Sequence, residues 1–220
     1  MKEHPILFKP DMVAAILKKQ KFQTRRIIKP QPTLGIVFTE DLLGKCKYKK
    51  NDLLWVRERF ALRLGFWDND VKVHNIDGIN VIYYQESCEF EWQDGDGFAA
   101  LRKDGQPRSY WKPSIFMPKK FCRLWLKVKS VKVEQLQDIS EDDALAEGIR
   151  FLEHSIITGQ DFYGVNQGNY DLYAPNAYTS YMRLWDSING QPRKDGVDIS
   201  FAGNPWVWVV EFEMTENPKI

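Results

Sequence analysis

Along most of the chain the spacing of apolar residues separates helix from strand. Met12, Val13, Ile16 and Leu17 share one face at helical spacing, so residues 10 to 19 are predicted as a short helix. Pro10 suits its first position, Asp11 its positive end, and Lys18 and Lys19 its negative end. Asn51-Asp52 is a turn signal ahead of Leu53-Leu54-Trp55-Val56-Arg57-Glu58, a largely apolar run that predicts a strand. From Leu124 the apolar positions go Leu124, Leu126, Val128 and then Val131, Val133. The alternation slips by one at Lys129-Ser130, and a β-bulge accounts for such a slip.

Two more helices follow from their end signals. Ser140 with Asp143 three residues later makes a capping-box start, and Gly148 closes the segment Ser140 to Glu147. A second helix runs from about Asn176 to Ile188, with Tyr178, Tyr181, Met182, Trp185 and Ile188 at helical spacing and Asn189-Gly190 as its stop. Its aromatic stripe reads as core rather than as a base-stacking platform. After the Asn204-Pro205 break, Trp206, Trp208, Val210, Phe212 and Met214 alternate with Glu211 and Glu213, the pattern of a half-buried barrel or sandwich strand. Residues 60–120 and 150–175 hold no sustained period and are rich in Gly, Asp, Asn and aromatics, so they read as insertions or long excursions.

Composition narrows the class without fixing it. A chain of 220 residues, 43% hydrophobic and 28% charged, is an ordinary globular composition and excludes disordered, collagen-like and coiled-coil classes. No run approaches the ~18 apolar residues of a membrane span, and residues 1–9 lack a signal-type apolar run, which leads to the expectation of a cytoplasmic protein with no membrane partner. Cys46, Cys88 and Cys122 are odd in number and far apart, consistent with free or buried thiols. His4, His74 and His154 show no metal-ligand spacing, so neither a metal nor a cofactor is expected.

Charge is distributed unevenly. Net charge is only +1, yet the first sixty residues hold 14 Lys or Arg against 6 Asp or Glu. Residues 134–161 carry eight acids, among them Glu134, Asp143 and Glu147, against the single base Arg150. A basic end suits a phosphate-bearing partner, although a solvated basic face gives the same pattern.

Candidate chemistry lies where the first helix ends. In Lys21-Phe22-Gln23-Thr24-Arg25-Arg26, read as a basic turn, a desolvated Lys21 loses its proton more readily and can act as base for the Thr24 hydroxyl. Arg26 stays cationic and can hold an anion or a developing oxyanion. Glu147 stands in the last turn of its predicted helix, where the negative end of the dipole favours the protonated carboxyl. The bland alternatives are an exposed basic loop and a solvent-facing acid.

Lys21-x-x-Thr24-x-Arg26 after a short helix, the Asn51-to-Val56 strand, the Ile139-Ser140-Glu141 helix ending in Glu147, and the Trp208-Val209-Val210-Glu211-Phe212 strand together resemble the ASCH domain family, in the family's order. The resemblance implies an α+β fold, a PUA-like mixed or antiparallel β-barrel with peripheral helices, and a cleft for RNA or a nucleoside. The bacterial N4-acetylcytidine amidohydrolases of that family use a Lys, a Thr and a Glu, and the matching positions here are Lys21, Thr24 and Glu147. The chain is similar, over more of its length, to long ASCH proteins of phages and prophages through Gln23-Thr24-Arg25-Arg26, Trp55-Val56-Arg57-Glu58, residues Trp111 to Pro118, Leu136 to Ser140 and Asn204 to Trp208. One domain over 1–220 is expected, with insertions at about 60–120 and 150–200 that the compact amidohydrolases lack.

The implied activity is hydrolysis of an N4-acyl amide of cytidine, with Lys21, Thr24 and Glu147 catalytic and with Arg26, Arg25, Trp55 and Lys112 as candidate ligand-binding residues. The rival reading is a non-catalytic RNA-binding module of phage or prophage origin, in which the basic turn grips phosphates and aromatics stack bases. A third is an accessory protein whose partner is a host protein.

Overall fold

The computed structural model describes residues 1–32, 39–64, 74–76, 80–84, 112–165, 170–191 and 194–217. Cys88 and Trp111, both singled out in the sequence, lie outside the described residues. The chain order is β1 (Glu3–Leu7), α1 (Pro10–Leu17), β2 (Gln23–Ile27), α2 (Thr39–Lys45), β3 (Leu53–Arg57), β4 (Phe60–Leu64), β5 (His74–Ile76), β6 (Asn80–Tyr84), β7 (Trp125–Gln135), α3 (Glu141–Ala146), β8 (Arg150–Ser155), β9 (Gln160–Gly164), α4 (Ala177–Asn189) and β10 (Trp206–Thr215). No helix among the described residues is long and apolar enough to cross a membrane.

The expected α+β class is what the chain forms. The main sheet is mixed and five-stranded, in the order β1-β3-β7-β10-β2, parallel between β1 and β3 and antiparallel elsewhere. Its spine is the long β7–β10 pair. There Glu211 faces Ser130 and Phe212 faces Val128, which leaves Lys129 as the extra residue of a bulge at the slip in the alternation. Among the described residues the sheet is not closed into a barrel by strand pairing. The two end strands are joined instead through α1 and by Arg26 Nη2 of β2, which donates to the Leu7 carbonyl of β1 at 2.7 Å.

Alternation along the strands sends side chains into separate apolar clusters. Val210 and Phe212 join Leu54, Val56, Leu126, Val128 and the α1 residues Val13 and Ile16. Val207 and Val209 join Tyr181, Leu184 and Trp185 of α4 together with Ala144 of α3. β10 is therefore covered on both faces, not half-buried as its sequence pattern suggests, while Met214 at its end is exposed. Each fully buried Val or Phe here contributes about 1.5–3 kcal/mol relative to exposure, so the β10 interior is a principal anchor of the fold. A third cluster gathers Leu53, Trp55, Phe60, Met117, Phe121, Cys122 and Trp125.

The segments read as insertions contain regular structure. β4, β6 and β5 make a small antiparallel sheet, and β8 with β9 makes a hairpin. α4 also falls within 150–200, and it is capped by the Asn176 side chain accepting from Thr179 N–H.

Candidate functional site

Four short local features place the site. Ser140 and Asp143 form the expected capping box, which fixes the start of α3. Its end is set by Glu147 as C-cap, with Glu147 N–H donating to the Asp143 carbonyl at 2.9 Å. Gly148 follows at φ +101, a conformation costly for any residue with a Cβ. A Cβ at that position would lie 3.3 Å from the Cβ atoms of Ala15 and Lys21, so the glycine also lets the Lys21 chain pass. The Phe22 N–H donates to the Ala146 carbonyl at 2.8 Å, binding the segment before β2 to the end of α3.

That clamp brings together groups far apart in sequence. Lys21, 2% exposed, donates from Nζ to both Glu147 Oε2 and the Glu147 carbonyl, each at 2.6 Å. Arg25 Nη1 donates to Glu147 Oε1 at 3.2 Å, so one carboxylate is shared by two cations. Arg25 Nε donates to Glu134 Oε1 at 2.8 Å. Its Nη2 lies 2.6 Å from the same oxygen, off the hydrogen-bond axis, and 3.4 Å from Asp143 Oδ2. The acid-rich segment and the basic turn thus neutralise one another inside the fold. What the sequence presents as a turn is β2, an edge strand paired with β10 through Thr24 opposite Val210 and Arg25 opposite Val209.

Burial shapes the ionisation here. Desolvation lowers the Lys21 pKa, and Arg26 and Arg25 add to it, against the opposing pull of Glu147. The Tyr181 phenol is pushed well above its ordinary range, first by burial and then by the negative charge of Glu147, so it remains a neutral donor. For Arg25, burial disfavours the cation, but Glu147, Tyr181 and Glu134 outweigh it.

Beside this network opens a cavity of about 320 Å³. Thr24, Arg25, Arg26 and Glu147 line one side, and Tyr181, Leu184, Trp185, Ile188 and Asn189 of α4 line the other. Leu7, Lys9, Met12, Ile27 and Lys29 complete the wall. The Thr24 and Tyr181 hydroxyls make no hydrogen bond among the described residues. Lys21 is not part of the lining, but its ammonium is bonded to Glu147, which is. The arrangement can bind a small polar ligand between an apolar helix face and a polar strand, with a hydroxyl and a carboxylate on one wall.

Of the sequence candidates, Lys21, Thr24, Glu147, Arg25 and Arg26 are brought together here. Trp55 and Lys112 are not. Trp55 is 8% exposed among Leu53, Phe60, Met117 and Trp125, with the Arg57 guanidinium 4.8 Å from its ring. Lys112 pairs through its backbone with Phe60 and has its ammonium 6.0 Å from that ring. The sequence reading missed Lys9, Lys29 and the α4 wall. The aromatic stripe was a usable signal for that wall, since Tyr181 and Trp185 serve the core and the cavity at once. Among the described residues no three His, Cys, Asp or Glu side chains cluster as a metal ion would require.

No protein-family model and no curated protein matches this chain. Among solved structures it is similar to an ASCH domain from Lactobacillus crispatus, at 11% identity and a TM-score of 0.41, covering 98% of this chain and 81% of that one.

Proposed function

We propose that the chain is an ASCH-type protein whose cavity takes a modified pyrimidine nucleoside and hydrolyses an exocyclic N4-acyl amide there. The observation that supports this most is the joining of the Lys21 ammonium to a Glu147 carboxylate that shares a cavity wall with the Thr24 hydroxyl. A volume of about 320 Å³ is at the low end of small-molecule sites, which run from about 300 to 1,000 Å³, and fits a ligand of nucleoside or mononucleotide size better than a larger one.

In this reading Lys21 and Glu147 work as one proton-exchanging pair. Burial eases loss of the Lys21 proton, and Glu147, bonded to it, is the group placed to take it, giving a neutral amine and a neutral acid. The amine then takes the Thr24 proton as Oγ1 bonds to the acyl carbon. Glu147 returns its proton to the departing N4 nitrogen as the C–N bond breaks, leaving an acyl ester on Thr24. Water attacks that ester and gives a proton to Glu147, while the Thr24 oxygen leaves with the proton held by Lys21. Glu147 finally restores the Lys21 ammonium. The balance is amide plus water giving amine plus carboxylic acid, and no cofactor enters. Arg25 and the neutral Tyr181 phenol are the donors in the cavity wall suited to the transient oxyanion.

The test is to incubate the protein with N4-acetylcytidine and follow loss of the acetyl group by mass. Thr24→Ala and Glu147→Gln should each lower turnover by about 10² or more, with circular dichroism checking that both remain folded. Absence of turnover in the parent protein, or undiminished turnover in Thr24→Ala, rejects the mechanism.

A further inference from the structure

The charges around the cavity do not balance, and the imbalance says something about the ligand. Its wall carries the cations Lys9, Arg25, Arg26 and Lys29 but the one carboxylate Glu147. That carboxylate is already bonded by Lys21 and Arg25, and Arg25 is further compensated by Glu134 and Asp143. Adding Lys9, Arg26 and Lys29 to Lys21 and Arg25 makes five cations against the three acids Glu147, Glu134 and Asp143. Lys9 and Lys29 are exposed and form no ion pair among the described residues. Arg26 is held in place by a 2.7 Å bond to the Leu7 carbonyl and by the Phe8 ring 5.1 Å from its guanidinium. Its Nε is buried with no partner among the described residues.

The three come from neighbouring positions of the fold. Lys9 directly precedes α1, Arg26 lies within β2 and Lys29 lies two residues beyond its end, and all three line the cavity, giving it a cationic margin. A rigid guanidinium joined by two mobile ammonium groups is the donor set that a phosphomonoester, with its three terminal oxygens, would satisfy. An uncharged nucleoside would bring no negative charge to offset this excess.

We infer that this margin is a phosphate subsite and that the ligand class is a pyrimidine nucleoside monophosphate rather than the free nucleoside. The inference rests on the nucleoside reading of the cavity and adds the charge of the ligand to it. The cavity's volume of about 320 Å³ suits a single nucleotide unit rather than a longer chain.

Isothermal titration with cytidine, cytidine 5′-monophosphate, cytidine 3′-monophosphate, inorganic phosphate and a short single-stranded RNA tests it, the unacylated base being used because it cannot turn over. One of the monophosphates should bind on the order of tenfold tighter than cytidine at low salt, as expected for added charge-assisted bonds. That ratio should shrink as salt rises and fall below about threefold in a Lys9→Gln/Lys29→Gln variant, whose exposed substitutions leave the fold intact. Equal binding of cytidine and both monophosphates overturns the phosphate subsite while leaving the nucleoside reading standing. Inorganic phosphate binding as tightly as the nucleotides, or RNA binding tenfold tighter than either, overturns the mononucleotide assignment. If neither cytidine nor the monophosphates bind, it is the underlying nucleoside reading that fails.

Discussion

Two buried carboxylates of this protein are nearly alike in exposure and opposite in setting. Glu147, 5% exposed, receives Lys21 and Arg25 and faces a cavity. Glu58, with no exposed surface, receives Arg123 through Nε to Oε1 at 3.0 Å and Nη2 to Oε2 at 2.6 Å. Glu58 is paired with one guanidinium in the fork-on-fork manner, and Met117, whose sulfur accepts from the Glu58 N–H at 3.2 Å, packs beside it. Glu147 belongs to a network of Lys21 and Arg25 with Glu134 and Asp143, and it faces a hollow whose lining adds the cations Lys9, Arg26 and Lys29. A buried charge alone therefore points to structure; a buried charge beside a hollow, with unspent counter-charge at the rim, points to a ligand.

The contrast can be broken in graded ways. The largest effect should come from Glu58→Ala, which removes the buried carboxylate that Arg123 pairs with and should cost about 3–5 kcal/mol in chemical denaturation while leaving cytidine affinity unaltered. A change in affinity with retained stability would erase the distinction drawn above. Next, a double-mutant cycle with Lys21→Met and Glu147→Gln should give a coupling of about 0.5–3 kcal/mol in stability. The same cycle read by turnover should be strongly non-additive, since both residues serve one proton pathway. Additive losses in turnover would separate them.

The smallest effect concerns a third carboxylate, held by backbone amides. Burial works against ionised Asp52, but the N–H groups of Lys2 at 2.7 Å and Lys49 at 3.1 Å, with His4 at 3.2 Å, outweigh it and hold its pKa below the ordinary 3.8. Its stabilisation is complete above the unfolded value and is lost as pH falls through the lower folded one. Asp52→Asn should therefore flatten the acid limb of the stability profile below about pH 4 and leave ligand binding unchanged.

What could be read from the sequence was whatever its neighbours decide. α1, β3, the bulge in β7, the capping box of α3 and the extent of α4 all follow from spacing and end signals within a few residues. β2 could not be read this way. Gln23, Thr24 and Arg25 are buried although polar, and the counterparts of Arg25, Glu134 and Glu147, arrive from more than a hundred residues away. Local pattern therefore makes the segment a turn, and tertiary pairing makes it a strand. Trp55 was misplaced for a related reason. In β3 the alternation gives Leu54 and Val56 to one cluster and Leu53 and Trp55 to another, and nothing local says which of them borders the cavity. β10 was read as one-sided because its outward Val207 and Val209 become interior only once α4 covers them.

The extra residue at Lys129 acts as a phase shifter between distant parts of the chain. It lets Leu126 and Val128 point into one apolar cluster while Glu134, six residues beyond Val128, emerges on the side where Arg25 waits. Without it, every side chain from Ser130 to Gln135 would turn over to the opposite surface of the sheet. The acid would then point away from its guanidinium, and an exposed lysine with no chemistry of its own thus sets the timing of the electrostatics at the cavity.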